Sequence, residues 1–300
     1  MRGAPRPPHD RSAELDNLRG SLLMVLAMAG FALEDMFIKA ATATVPVGEA
    51  LVIFGAGGTV IFAALTWSRG QRIVQPEILS RPILFRAGSE VVGRLGYTLG
   101  IALTPLSSAS AILQATPLVV AAGAVIFFGE KVGWRRWVAI GAGFAGVLLI
   151  LRPGLAGFDV LSLFAVVGML GFAGRDLATR AAPPVLSNVQ LGVYGFLMLI
   201  VAGVLILAVT GGGVWPAPTA LAQLAAAILF GVTGYYALTA AMRLGEIAVV
   251  APFRYTRLVF AMILGATVFA ERPDMLTLLG SAVIVLSGLY TFFRRRKIGG

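Results

Sequence analysis

Apolar runs of about 20 residues follow one another along almost the whole chain, a length set by the membrane. They begin at "RGSLLMVLAMAG" (19–30) and end just before the basic "RRRK" at 294–297. At 1.5 Å of rise per residue, each run is long enough as a helix to cross a hydrocarbon layer of roughly 30 Å. Backbone groups inside lipid find no water, so runs of this length must satisfy their own hydrogen bonds as helices. The residues are 58% hydrophobic and 13% charged, with a mean hydropathy of +0.89. Soluble domains run nearer about 45–50% and about 25%. The expected class is an all-α integral membrane protein.

Helix breakers divide the chain into ten spans, at 20–42, 47–68, 82–103, 106–128, 134–152, 157–180, 187–209, 219–241, 246–268 and 274–293. The punctuation is "VPVGE" (45–49), "SRPI" (80–83), "LTPLSS" (103–108), "RPG" (152–154), "APPVLSN" (182–188), "GGGVWPAP" (211–218) and "ERPD" (271–274). With alternating loops, seventeen of the 24 lysines and arginines fall on one side and three (Lys39, Arg152, Arg272) on the other. Cytoplasmic loops carry the excess of basic residues, so this bias places both termini in the cytoplasm. Residues 1–19 form a Pro-rich flexible cytoplasmic tail and 294–300 a basic one. The net charge of +10 is thereby an orientation signal rather than a nucleic-acid surface.

Absent residue types narrow the chemistry. There is no cysteine, and the single histidine, His9, lies in the tail. Disulfides, thiol catalysis and His- or Cys-based metal sites in the core are excluded. No G-x-x-x-x-G-K-[ST] sequence occurs, so ATP is not used directly. "GAGFAG" (141–146) spells a dinucleotide fingerprint but lies inside a span, where small residues serve close helix packing. No cofactor and no metal are called for, and an intramembrane lipid enzyme is a remote alternative.

The chain contains itself twice. "GFALEDMFIKA" (30–40) returns as "GFAGRDLATRA" (171–181), and at the same offset of 141 "FFGEKVGW" (127–134) faces "VFAERPDM" (268–275). "GYTLGIAL" (96–103) and "YYALTAAM" (235–242) align with a two-residue slip. Five is odd, so a second five-span unit enters the membrane from the opposite side, the inverted repeat of many secondary transporters. The units are 20–152 and 157–293. The recurrence also argues that the first span, with "ATA" at 41–43, is retained rather than cleaved as a signal peptide.

The repeat, the ten spans and the acid after spans four and nine (Glu130, Glu271) resemble the drug/metabolite transporter superfamily, EamA type, over about residues 20–293. The opening "GFALEDMFIKA" resembles bacterial aromatic amino-acid exporters. The resemblance implies a helix bundle around a central cavity, alternating access, and efflux of amino acids or similar metabolites across the inner membrane. A broad drug, nucleotide-sugar or other metabolite carrier is the alternative within the superfamily. Partners would be amino acids and membrane lipids, with no nucleic acid and a monomeric chain.

Charges inside spans mark candidate sites, because a lone charge at mid-bilayer costs at least ~2.5 kcal/mol on insertion scales. Span three places Arg86, Glu90, Arg94 and Tyr97 on one face. Arg86 is expected to snorkel, Glu90 and Arg94 to pair, Arg94 to hold a substrate carboxylate, and Tyr97 to line the cavity. Span four offers Ser110, Gln114 and Pro117; span eight Tyr235, Tyr236 and Thr239; span nine Arg254 and Arg257, which no acid in their own span answers. The carboxylates Glu34, Asp35, Glu90 and Asp176 could couple transport to protons, or the protein could be a uniporter. Asp35–Lys39 and Asp176–Arg180 read as i,i+4 ion pairs. Glu34 and its repeat counterpart Arg175 would then meet across the two-fold axis as a latch. Glu130 and Glu271 read as helix-end charges.

Overall fold

The computed structural model describes residues 8–128, 133–152, 159–180, 186–244 and 250–296, and among them every regular element is helical. In order these are α1 (Pro8–Ala41), α2 (Val47–Ser68), α3 (Arg81–Leu103), α4 (Leu106–Leu113), α5 (Thr116–Phe128), α6 (Trp134–Leu151), α7 (Ser162–Arg180), α8 (Asn188–Thr210), α9 (Pro218–Leu244), α10 (Thr256–Val268) and α11 (Met275–Arg296). Short 3₁₀ turns at Pro76–Leu79 and Ala251–Tyr255 precede α3 and α10. Among the described residues six segments are long and apolar enough to cross a membrane: Leu15–Ala41, Val47–Ser68, Leu106–Phe127, Ser162–Thr179, Asn188–Thr210 and Pro218–Leu238. Helix α3 is also 23 residues long, but it carries Arg81, Arg86, Glu90 and Arg94. The first helix starts at Pro8, where hydropathy alone starts the span at residue 20.

Span four is not one helix. It breaks between Leu113 and Thr116, because Pro117 has no N–H to give the Leu113 carbonyl. The Thr116 hydroxyl donates to that carbonyl instead, at 2.6 Å. Span nine is interrupted in the matching place, where the 3₁₀ turn containing Pro252 leads into α10. The two interruptions touch: the Gln114 amide donates to the Arg254 carbonyl at 3.1 Å.

The helices pack in pairs joined by glycine. The principal pairs are α1 with α9, α3 with α7, α2 with α8, and α6 with α11. A Cβ on Gly30 would lie 3.2 Å from the Gly234 Cα, and one on Gly171 would lie 2.5 Å from the Gly93 Cα. Gly30 and Gly171, like Gly93 and Gly234, are separated by 141 residues, so one contact is built twice with the halves exchanged. Gly48 with Gly203 and Gly146 with Gly280 make the equivalent approach in α2–α8 and α6–α11. Lipid gives helices no hydrophobic reason to associate, and small residues let backbones come close enough for dispersion to act.

The connections are fastened by their own side chains. Ser187 and Gln190 form a capping box at the start of α8. Gln190 Nε2 also donates to the Arg72 carbonyl at 2.7 Å, and the Tyr194 hydroxyl donates to the Ile73 carbonyl, tying the 69–75 stretch down. At the opposite end of the bundle Arg152 bonds Asp274 ahead of α11. That guanidinium, with the Thr277 amide, holds the Asp274 carboxyl well below the ordinary range, at about 2.

Candidate functional site

Where α1, α3, α7 and the start of α10 converge, charged side chains form one connected network. Arg94 Nη1 donates to Glu34 Oε1 at 2.9 Å, and its Nε lies 3.6 Å from Glu90 Oε1. Arg175 Nη1 reaches the same Glu90 oxygen at 3.5 Å and binds Asp176 through Nε and Nη2 at 3.0 and 2.8 Å. Arg254 stands 3.9 Å from Asp176. Asp35 receives Arg257 through Nη2 at 2.6 Å and Nε at 3.2 Å. The Tyr97 hydroxyl donates to the same Asp35 oxygen at 2.9 Å, which leaves its lone pair for the Ser110 hydroxyl at 3.2 Å.

Glu34 and Asp35 are each 1% exposed, so neither could stay charged without these partners. Aromatic faces complete the enclosure. Arg257 lies over Phe31 (5.3 Å), and Arg94 and Arg175 lie over Phe172 (5.6 and 4.7 Å). Phe31 and Phe172 hold the same repeat position. A guanidinium stacked on a ring gains cation–π attraction where water is excluded.

Several sequence expectations change here. The Asp35–Lys39 pair does not form: Asp35 turns to Arg257, and Lys39 leaves the network. Asp176 pairs with its neighbour Arg175, while the Arg180 side chain lies outside the described residues, as do the Thr239 side chain, Glu130, Lys131 and Glu246. Glu34 does not meet Arg175. Arg94 and Glu90 stand between them, Glu90 lying 3.6 Å from Arg94 and 3.5 Å from Arg175. Arg86 does not snorkel but is 5% exposed, its Nε bonded to Thr179 Oγ1 at 3.1 Å. Tyr97 is 1% exposed, a buried strut rather than a cavity wall. The i,i+4 rule failed for Asp35 because an arginine fork neutralises a buried carboxylate with two bonds, and it came from 222 residues away.

Lys39 has a different task, which sequence reasoning missed. Its Nζ donates to the Ile101 and Thr104 carbonyls at 2.9 and 2.6 Å and lies 3.7 Å from Glu271. Glu271 accepts from Leu106 N, Ser107 N and Ser107 Oγ at 2.7, 3.1 and 2.8 Å. One ion pair thus satisfies the unpaired carbonyls ending α3 and the unpaired amides beginning α4. Ala270, at φ 53°, takes the left-handed turn that places Glu271 over that helix start. This polar clasp closes the end of the bundle where α1 and α3 finish.

At the opposite end of α3 a small cavity of about 160 Å³ opens among Phe62, Arg69, Asn188, Val189, Tyr235, Tyr236 and Ala240. Tyr235 meets Phe62 edge-on at 5.2 Å, and the Arg69 guanidinium lies 5.8 Å above the Tyr236 ring. Of the tyrosines chosen from sequence, Tyr235 and Tyr236 line the cavity; Ser110, Gln114 and Arg257 are taken up in bonds between helices. Among the described residues no cluster of His, Cys, Asp and Glu could hold a metal ion.

Comparison with known proteins gives this architecture a context. Residues 18–152 and 160–293 each match the EamA-like transporter family. The chain is 28% identical over 208 residues to an S-adenosylmethionine uptake transporter of Rickettsia bellii, covering 68% of this chain and 70% of that one. It is 28% identical over 279 residues to a riboflavin transporter of Rhizobium johnstonii, covering 90% of each. It is 29% identical over 287 residues to the pseudopaline exporter CntI of Pseudomonas aeruginosa, covering 91% and 96%. A solved crystal structure superposes with a TM-score of 0.64 over 94% of this chain and 98% of that one, at 17% identity, a likeness of fold.

Proposed function

Because this chain belongs to the EamA-like transporter family, whose named relatives are transporters of small metabolites and not enzymes, we propose that it exports amino acids, aromatic and other neutral ones. It does so across the bacterial inner membrane by alternating access. In this reading ten spans form two inverted five-span repeats, with both termini cytoplasmic and the paired halves rocking about the charge network. The observation that carries it is the exchange symmetry of the Gly30–Gly234 and Gly171–Gly93 contacts, which supports two equivalent ways of closing the bundle.

The clasp of Lys39 and Glu271 closes one end, and the aromatic cavity of Tyr235 and Tyr236 opens at the other. Arg254, at 3.9 Å from Asp176 and the most exposed arginine of the network, is the member free to change partners as substrate enters. Arg94 and Arg257 hold the framework, with Ser110 and Gln114 bracing it. Glu34, Asp35, Glu90, Arg175 and Asp176 set the balance between states, and protons are the coupling ion if any of these carboxylates is released. A second reading, a carrier of larger ring-bearing metabolites, draws on the names of the relatives.

The test is uptake of radiolabelled amino acids into liposomes carrying the purified chain, with and without a pH gradient. Saturable transport of phenylalanine or leucine is expected. Transport of riboflavin or S-adenosylmethionine with none of any amino acid would sink amino-acid export, and rates indifferent to the pH gradient would eliminate proton coupling.

A further inference from the structure

We propose that Arg86 is an anion anchor that binds the carboxylate of a substrate entering the cavity beside Tyr235, which rests on the transporter reading above and names a residue and ligand group for it. Every other buried arginine of the network faces a carboxylate. Glu34, Asp35, Glu90 and Asp176 answer Arg94, Arg257, Arg175 and Arg254, and those charges cancel. Arg86 is left over: it is 5% exposed and bonds Thr179, and among the described residues no acid lies within ion-pair distance of it. Among the described residues the cluster therefore sets five arginines against four carboxylates. A buried guanidinium with no ion-pair partner is costly, and a negative ligand removes the cost.

The geometry leaves Arg86 ready for one. The Thr179 hydroxyl gives its only proton to the Arg175 carbonyl at 2.8 Å, so it can only accept from Arg86 Nε. That bond fixes the guanidinium by one edge. The terminal nitrogens make no hydrogen bond within the described structure, and they are not among its sealed, unpaired atoms. A planar fork held this way presents the parallel pair of N–H groups that a carboxylate accepts bidentately. Gly195 of α8 stands beside it, where an added Cβ would be 4.0 Å from Nη2, so no side chain on that helix position fills the space.

Helix α8 links this anchor to the cavity: Gly195 stands beside the Arg86 guanidinium, and Asn188 and Val189 at the start of the same helix line the cavity, where the Tyr235 ring meets Phe62 edge-on. A ring and a carboxylate on one small molecule would meet Tyr235 and Phe62 with the first and Arg86 with the second. The ligand class is an aromatic or other apolar monocarboxylate.

Equilibrium binding of radiolabelled indole-3-acetate and of its uncharged amide, indole-3-acetamide, to the purified full chain tests this. Wild type is expected to bind the acid about tenfold more tightly than the amide, the worth of a charge-assisted bidentate contact. Arg86→Gln should bind the two alike, and Arg86→Lys, which lacks the fork, should fall between. A preference for the acid that survives in Arg86→Gln, or a wild type that shows none, overturns the assignment. If Arg86→Gln does not fold, Arg86→Lys carries the test, and a preference equal to wild type overturns it. Neither probe is an amino acid, so the contrast stays readable even if amino-acid export fails. Amino-acid transport with an unchanged acid preference in Arg86→Gln sinks only the anchor.

Discussion

Asp35 has neutralisation from a single source, the two nitrogens of Arg257, with the Tyr97 hydroxyl as third contact. Breaking a buried pair by removing one partner costs more than removing both, because it strands a charge. Asp35→Asn is therefore expected to destabilise the protein by about 3–5 kcal/mol, and Asp35→Asn with Arg257→Gln to recover most of that loss. Chemical denaturation in detergent checks this; a double variant as unstable as the single would mean that Arg257 is satisfied elsewhere. The sequence showed that Asp35, Glu34, Arg94 and Arg257 are buried charges needing partners. It could not show which, because local spacing ranks Lys39 first, and the pairing that won crosses the whole chain.

Helix pairing rests on missing side chains. A Cβ on Gly168 would stand 2.5 Å from the Tyr97 nitrogen and 2.8 Å from its Cα, both backbone atoms that can yield only if α3 and α7 separate. Gly168→Ala is expected to cost about 1–3 kcal/mol by overpacking. Gly88→Ala on α3 meets nothing within 4 Å, and should be neutral or stabilise by up to ~1 kcal/mol through helix propensity. Melting temperatures of the two variants in detergent decide it, and equal shifts would refute close packing at Gly168. The spans themselves were legible from hydropathy and from Pro and Gly punctuation. The break in span four was signalled by Pro117, but its repair by Thr116 and the Gln114 bridge to Arg254 were not.

At the scale of the molecule, one end is clasped and the other holds a cavity. The chain has no cysteine, so single cysteines report accessibility without background. In membranes, Ala240→Cys on the cavity wall should react with an impermeant maleimide applied from its own side, while Thr104→Cys, 3% exposed at the clasp, should not. A transported substrate should slow the first and speed the second, as alternating access requires. Reactivity of both that ignores substrate would refute it. Length, hydropathy and the 141-residue repeat sufficed to read an all-helical membrane chain of two related units and its family, because lipid allows so few backbone solutions. Only the tertiary structure decided which charges neutralise one another, that Lys39 and Glu271 splice two helix ends, and that Arg86 is left over. Those choices belong to side chains from distant helices meeting in a medium with almost no water, and no local spacing encodes that meeting.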